Sequence, residues 1–531
     1  MIRKDNAAHR SPVLGFNGAC ATSQPLAAQA GLQMLLEGGN AVDAALAAIT
    51  TLNVVEPMST GMGGDLFALV YVASERKVYA LNASGRSGAA WSYDAYRAHG
   101  MESVPERGAW AVTVPGAADG WFQLSAKLGR LPFDRVLQSA IGYAQEGFAV
   151  SPIVADVWRS CEALLQGDPE AARTYLPKGR APRVGERFYQ PDLAYSLTLL
   201  AQQGPDAFYR GPIARAIAST VQKHGALLTE DDLAAHTSTW VEPLSTNYRG
   251  LDVWECPPNG QGIVALEALN ILSGVDLASM PFDAPDTVHY KTEAIKLAMA
   301  DALGYVADPE HVHVPVAELL SPAYAAQRLA EIDMRRAIPD PLPGLHLGND
   351  TVYATAVDGE GNAASIINSI FLAFGSGLVA EGTGICLQNR GNLFVMDQAH
   401  PNCIAPNKRP FHTIIPCMAT ENGSLRMSFG VMGGAMQPQG HVQVLTNMLD
   451  HGMDVQAAID APRFYYQPGS THLIEPYFAD ETLAELRRRG HDLTLDEGGI
   501  FGGAQIIMVD PDSGALVCGS EPRKDGCAVA Y

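Results

Sequence analysis

Paired cysteines and charge are both scarce in this chain. Its eight cysteines (Cys20, Cys161, Cys256, Cys386, Cys403, Cys417, Cys518 and Cys527) are scattered through 531 residues without a CxxC pair. No disulfide framework is legible in that spacing, and buried free thiols in a reducing compartment are expected. Charged residues make up only 18% of the chain against 47% apolar, which suits a compact soluble enzyme and not a disordered scaffold. Basic residues are the scarcer sign, 36 against 57 acidic, and the net charge of −21 argues against nucleic acid or an anionic membrane as a partner. Long apolar runs are missing too. The longest, residues 41–55, is broken by Asp43 and Asn53 and is too short to span a bilayer. The opening Met1-Ile2-Arg3-Lys4-Asp5-Asn6 lacks the apolar core of a secretory signal, so a cytoplasmic protein is expected.

Phosphate and metal motifs are equally thin. The glycine loop Ser59-Thr60-Gly61-Met62-Gly63-Gly64-Asp65 is followed by a strand, residues 66–72, and by no Lys-Ser/Thr pair. It reads as a structural turn and not a phosphate cradle. His311-Val312-His313 offers two metal ligands with no third in view, and reads as a plain strand. No metal and no cofactor are expected.

What the chain does have is length and a well-marked hairpin. Its 531 residues can bury a large core, as two domains or as one layered sandwich. After a loose proline-rich run, residues 336–347, the stretch Gly348-Asn349-Asp350-Thr351 enters a strand. Thr351, Tyr353, Thr355 and Val357 fall on one face of it, with Val352, Ala354 and Ala356 on the other. Asp358-Gly359-Glu360-Gly361-Asn362 is a hairpin turn, and residues 363–371 return as a second strand. A threonine at the start of a strand, after a linker, can serve as an N-terminal nucleophile. Cleavage before it would free an α-amine to act as base for its own hydroxyl. A buried hairpin without chemistry has the same pattern.

Before the hairpin the chain is mostly helical. Ser23 and Pro25 open one helix, and Asn40 caps an alanine-rich second one through about Leu52. Helical periodicity covers residues 117–128, 132–146, 152–165, 190–203, 211–223, 264–272 and 286–303, with Thr229 capping an acidic helix start. Strands are expected at 77–82 and 251–256, then at 385–390, 414–419, 425–429, 504–509 and 515–518. A helix is expected at 480–489 and another from about Pro438.

Three further groups could carry chemistry. Arg86 lies among small residues just past a strand end, where a guanidinium can grip a carboxylate bidentately, or can be a solvated surface arginine. Gly433-Gly434 stands at a strand-to-helix junction. Consecutive glycines there can aim two N–H groups at one spot, as an oxyanion hole requires, or simply make a close-packing turn. His412 has the chemistry of a general base, but a hydroxyl served by an α-amine needs none, so a substrate-wall role is expected of it.

Several motifs occur together and in order: Gly38-Gly39-Asn40-Ala41-Val42-Asp43-Ala44-Ala45, Val54-Val55-Glu56-Pro57, Thr351, Phe374-Gly375-Ser376-Gly377, Pro406-Asn407-Lys408-Arg409-Pro410, Gly433-Gly434 and Pro522-Arg523. In this the chain resembles the γ-glutamyltransferase (glutathione hydrolase) family from about Ala21 to Tyr531. Leu81-Asn82-Ala83-Ser84-Gly85-Arg86 and Leu387-Gln388-Asn389-Arg390-Gly391 look most like its cytosolic branch. The resemblance implies an α+β fold, a four-layer αββα sandwich of the N-terminal nucleophile (Ntn) hydrolase type, made as a proenzyme. Self-cleavage between Asp350 and Thr351 would leave a large chain, residues 1–350, and a small catalytic chain, residues 351–531, associated in one intertwined domain. A dimer of such heterodimers is left open. By motif position Thr351 is the nucleophile and Ser369 the hydroxyl supporting its amine. Gly433 and Gly434 supply the oxyanion-hole amides, and Arg86 anchors a substrate carboxylate. The family's reaction is attack on an amide carbonyl to give an acyl-enzyme, resolved by water or by an amine.

The departures fall where substrate is chosen. The family's glutamyl enzymes place Asn, Gln and an acidic residue where this chain has Phe371, Arg390 and Leu393, and their Ser-Ser pair is His412-Thr413 here. The stretch between Phe394 and Pro406 is short, which implies that the lid of some members is missing. A substrate ammonium facing Leu393 and Arg390 would lack its counter-charge, at a cost of several kcal/mol. Phe371, Arg390, His412 and Thr413 join Arg86 as the expected substrate-binding set, for a small anionic amide. Three functions stay open: a γ-glutamyl amide hydrolase/transferase acting on glutathione or its like, an amidohydrolase on an oxamate-type or glutaryl (cephalosporin acylase-like) amide, and a catalytically silent binding protein.

Overall fold

The Thr351 hairpin lies in the middle of a sheet, and the residue pattern shows why. Its strands run Val352–Asp358 and Ala363–Ser369, with every residue buried. One face, Val352, Ala354, Ala356, Ala364 and Ile366, packs under helices; the other, Tyr353, Val357 and Ile367, meets a second sheet. A strand covered on both faces has no solvent side and shows no polar alternation. The polar residues in mid-strand are paired: the Thr355 hydroxyl is bonded to the Ser428 hydroxyl at 2.6 Å, and the Ser365 hydroxyl to that of Tyr353 at 2.7 Å.

The computed structural model describes residues 10–339, 351–467 and 471–531. Both main sheets are seven-stranded and antiparallel throughout. The hairpin's sheet runs Cys527–Ala530, Gly18–Thr22, Val352–Asp358, Ala363–Ser369, Asp65–Val72, Lys77–Ala83, Thr239–Val241. The other runs Val13–Gly15, Leu516–Ser520, Gly503–Val509, Ser424–Met432, Cys417–Glu421, Leu251–Glu255, Leu244–Tyr248. Phe67, Tyr353 and Ile367 of the first meet Met418, Ile507 and Cys518 of the second in the inner core. Helices Pro25–Leu36 and Ala41–Val55 cover the first sheet's outer face. Helices Gly262–Leu272, Pro285–Tyr305 and Met436–Leu449 cover the second's. The result is the expected αββα sandwich, an α+β fold. All fifteen residues of Ala41–Val55 are buried, and its alanines let it lie close against the hairpin. Each sheet draws strands from both sides of residue 351, so no domain boundary coincides with it.

Several expectations need correction. Gln24, not Ser23, caps the first helix: its side chain accepts from Leu26 N at 2.6 Å, while the Ser23 hydroxyl donates to Glu56 at 2.7 Å. His311 to His313 form no strand. Asp308 winds them into a turn by accepting from the amides of His311 and Val312. The strand at 385–390 is only Ile385–Cys386, after which Arg390–Leu393 makes a 3-10 turn. The strand expected at 414–419 is shifted to Cys417–Glu421, and the one at 425–429 extends to Met432. The helical stretches 132–146 and 152–165 are each broken in two. Asp350, on the far side of the expected cleavage, lies outside the described residues, as do the opening residues and most of the proline-rich run. Among the described residues no helix is long and apolar enough to cross a membrane.

Candidate active site

Three strand ends meet at one edge of the hairpin's sheet. Register pairs Val352 with Asn368, which sets Thr351 beside Ser369, and it pairs Ser369 with Asp65. Thr351 Oγ1 donates to Ser369 Oγ at 3.3 Å, and the Phe371 amide donates to the same oxygen at 2.9 Å. Asn368 fixes the strand end, accepting from Trp121 Nε1 at 2.9 Å and donating to the Gly61 carbonyl at 3.2 Å. Phe371 has φ +79°, a left-handed backbone that bulky residues rarely hold outside functional sites.

The glycine pair turns the chain as the sequence suggests. After strand Ser424–Met432, Gly433 has φ +121° and Gly434 φ +55°, and helix Met436–Leu449 follows. A Cβ on Gly433 would stand 3.0 Å from Gly502 Cα, so glycine is needed for both space and torsion. The carbonyls of Gly433 and Gly434 accept from the amides of Met436 and Gln437, and the helix N-terminus adds positive potential to this corner. Buried Gln261 braces it by donating to the carbonyls of Gly434 at 2.9 Å and Thr413 at 2.5 Å. From the helix start, Gln437 Nε2 reaches Thr351 Oγ1 at 3.4 Å.

Behind Ser369 lies a buried charge cluster. Asp65 Oδ1 accepts from the amides of Gly85 and Gly116 and from Gln388, and Oδ2 meets His412 Nε2 at 3.0 Å. Burial opposes its ionisation, but the His412 hydrogen bond and the nearby Arg390 charge outweigh that and hold Asp65 below the ordinary carboxylate range. His412 is pushed down to about 4, by burial first and then by the charge of Arg390, against the pull of Asp65. It is neutral at pH 7. Its Nδ1 accepts from the Ile414 amide at 3.4 Å, so the proton sits on Nε2 and faces Asp65. With both nitrogens engaged, His412 offers a substrate no polar contact. Its Nε2 holds the Asp65 carboxylate in place.

Arg390 is the opposite case. Its guanidinium is fully buried, donates from Nη1 to Thr413 Oγ1 at 2.7 Å and lies 4.6 Å from the Phe371 ring centre. Nε and Nη2 have no hydrogen-bond partner among the described residues. Burial lowers its pKa to about 9 against the support of Asp65, which still leaves it charged at neutral pH. Leu393 closes the same turn and packs with Phe371 and Phe411. Arg86, the expected anchor, is half-buried and chelated by Glu310 at 2.8 and 2.9 Å, and Arg409 holds the same carboxylate at 3.1 Å.

The structure thus gathers Thr351, Ser369, Phe371, Arg390, His412 and Thr413, while Arg86 stands one step away, linked to them through Gly85 and Asp65 and through Glu310 and Arg409. Sequence reading missed Asp65, Gln261 and Gln437. Each stood beside a motif that was read as a turn or a helix start, and a polar residue next to a glycine corner was the available signal. Two buried groups have metal-ligand spacing, Glu255 with Cys417 and His441, and His289 with Glu293 and His491. Most of their polar atoms are engaged within the protein: His441 bridges Glu255 Oε1 at 2.7 Å and the Val431 amide at 3.1 Å, while Glu255 Oε2 has no hydrogen-bond partner among the described residues. His289 meets His491 at 2.7 Å, and the Lys296 ammonium already sits 3.2 Å from Glu293.

Comparison with known proteins agrees with this architecture. The gamma-glutamyltranspeptidase family profile spans residues 27–531. The glutathione hydrolase-like YwrD proenzyme of Bacillus subtilis is 39% identical over 97% of this chain and 99% of its own length. The oxamate amidohydrolase proenzyme of Klebsiella pneumoniae is 38% identical over 97% and 98%. The crystal structure of a cephalosporin acylase from Bacillus halodurans superposes with a TM-score of 0.94 at 45% identity, covering 100% of this chain and 99% of that one. By name these relatives are hydrolases and an acylase, two of them made as proenzymes, and this chain belongs to the gamma-glutamyltranspeptidase family.

Proposed function

We propose that this protein is a self-cleaving amidohydrolase whose Thr351 attacks small amides with a carboxylate on the acyl side. The observation that carries the reading is Arg390: a buried, charged guanidinium with Nε and Nη2 unpartnered, resting on the Phe371 ring next to Ser369 and Thr351. Such a group is costly to bury alone and is built to meet an anion. An acyl group with an α-ammonium fits poorly. Leu393 offers it nothing, and Asp65 is already taken by His412, two backbone amides and Gln388. The oxamate amidohydrolase and the cephalosporin acylase named above favour an anionic amide, while the glutathione hydrolase-like relative keeps a γ-glutamyl substrate as the second reading. In this scheme Thr351 Oγ attacks, its freed α-amine takes the proton, Ser369 orients the pair, and the Gly433-Gly434 corner receives the oxyanion. Residues 1–350 and 351–531 would remain together as the two chains of one enzyme.

The test is intact mass beside turnover. Wild type is expected to split into chains ending at residue 350 and beginning at Thr351, while Thr351→Ala stays whole. The processed enzyme is expected to favour glutaryl- over γ-glutamyl-p-nitroanilide by about tenfold or more in kcat/KM, the scale of one uncompensated ammonium. An uncleaved, folded wild type defeats the nucleophile assignment. Preference for the γ-glutamyl compound defeats the substrate class and leaves the nucleophile standing.

A further inference from the structure

We infer that Gln437 is a catalytic residue, whose carboxamide N–H groups hold the Thr351 oxygen and carry part of its negative charge in self-cleavage and in amide turnover alike. The inference rests on Thr351 as nucleophile. Gln437 is fully buried on the first turn of helix Met436–Leu449, directly after the glycine corner, and its backbone amide donates to the Gly434 carbonyl at 3.2 Å. Its Oε1 accepts from the Ile415 amide at 2.9 Å. A backbone N–H can only donate, so the oxygen of the carboxamide must face Ile415 and the NH2 must face Thr351. The side chain therefore cannot be flipped without losing a buried hydrogen bond.

The hydroxyl is then read from both sides. Thr351 Oγ1 sends its proton toward Ser369 Oγ at 3.3 Å and shows a lone pair to Gln437 Nε2 at 3.4 Å. Both contacts are long, and catalytic hydrogen bonds of this kind tighten in the bound complex. A helix-capping glutamine would need only the Ile415 bond. The aimed NH2 is what a purely structural role does not require.

The charge that it meets follows from the reaction. In the first half the α-amine of Thr351 takes the hydroxyl proton as the Oγ–C bond forms and the carbonyl π pair moves onto the carbonyl oxygen. Collapse restores the carbonyl and breaks the C–N bond, and the departing amine takes the proton back from the α-ammonium. In the second half water adds to the ester carbon and gives a proton to the α-amine. Collapse then breaks the C–Oγ bond, the electron pair leaves on Oγ, and the ammonium returns the proton to it. Self-cleavage uses the same oxygen: Oγ attacks the carbonyl carbon of residue 350, the C–N bond to Thr351 breaks, and the hydroxyl proton ends on the new amine. Water then hydrolyses the resulting ester, leaving a carboxylate on residue 350 and returning a proton to Oγ. At each step where Oγ bears charge, the Gln437 donors face it.

Gln437→Glu is the discriminating variant. One carboxylate oxygen keeps the Ile415 bond, while the other presents an acceptor to Thr351. Self-cleavage and kcat are expected to fall about 10²–10³-fold, the usual loss for one preorganised donor, with KM unchanged. Protonation of the introduced carboxylate restores a donor, so the ratio of variant to wild-type rate is expected to rise as pH falls, which a packing defect would not produce. Gln437→Met, with neither donor nor acceptor, is expected to show the same loss without the pH rescue, and it decides the matter if Q437E does not fold. Thr351→Ala runs beside them. If T351A is inert and a folded Q437E or Q437M matches wild type at every pH, the role of Gln437 is overturned and the nucleophile stands. If T351A still cleaves and turns over, the underlying reading has failed instead.

Discussion

Arg390 and Arg463 are both buried, and they are buried for different reasons. Arg463 donates to the Glu521 carboxylate at 2.8 Å and to the carbonyls of Ile459 and Phe501 at 3.0 and 2.9 Å. Glu521 in turn holds Arg523 at 2.8 Å, and Glu475 completes the network. Arg390 has a hydroxyl, an aromatic face and, among the described residues, no carboxylate in contact. Burial lowers the pKa of both, but only Arg463 has a neutralising partner beside it. The carboxylate-neutralised network, closed but for Arg463 Nε, ties the tail of the chain to the second sheet. An open one costs stability, and in the function proposed above a substrate carboxylate completes it.

The largest expected effect is on the closed network. Arg463→Leu strands Glu521 with only Arg523 for company, and urea unfolding should record a loss of about 3–5 kcal/mol, the cost of breaking a buried pair. If stability is unchanged, the closed network is not the structural tie that the contrast requires.

Arg390→Met is the counterpart, and its signature is reversed. Stability at pH 7 should hold or rise, because a charge without a carboxylate partner is replaced by apolar volume. Turnover of a carboxylate-bearing anilide should fall about 10–100-fold, equivalent to about 1.5–3 kcal/mol for a charged hydrogen bond, while a neutral acetanilide is scarcely affected. The acid limb moves too. His412 titrates near 6.5 when exposed and at about 4 in the fold, so the unfolded chain binds more protons between those values. Its contribution to stability is therefore present above 6.5 and is lost as pH falls toward about 4. Removing the Arg390 charge raises the folded His412 pKa and should shift the acid-unfolding midpoint downward. Arg463→Leu should produce no such shift by this route, since Arg390 and not Arg463 bears on His412.

The same contrast shows how much could be read from the sequence. The hairpin faces, the Asn40 cap and the Gly433-Gly434 corner follow from local rules: two-residue periodicity, side-chain capping and positive φ. They were legible because neighbours in the sequence decide them, and the order of family motifs carried the sandwich with them. Asp65 and Gln437 were not legible as site residues. Their roles depend on partners 347 and 86 positions away, His412 and Thr351, which only the strand register and the helix start bring together. Ser23 and the His311–His313 strand went astray for a local reason: a neighbouring Gln24 or Asp308 offered the backbone a better bond. Arg390 could be flagged by position, but that its Nε and Nη2 stay open is a fact of three dimensions.

Arg86 marks the small end of the scale. Its guanidinium is chelated by Glu310, whose side chain is 47% exposed, and Arg409 shares that carboxylate. An exposed pair of this kind contributes about 0–1 kcal/mol, and salt screens it further. Arg86→Ala should therefore leave the unfolding free energy within about 1 kcal/mol of wild type. A role as the substrate-carboxylate anchor would require Arg86 to leave Glu310, exchanging one carboxylate for another at little net gain. The expected outcome is a modest rise in KM, about two- to fivefold, with kcat and self-cleavage unchanged. A rise in KM as large as the loss in Arg390→Met would put the two arginines on an equal footing. The mouth of the site, and not only its buried floor, would then select the anion.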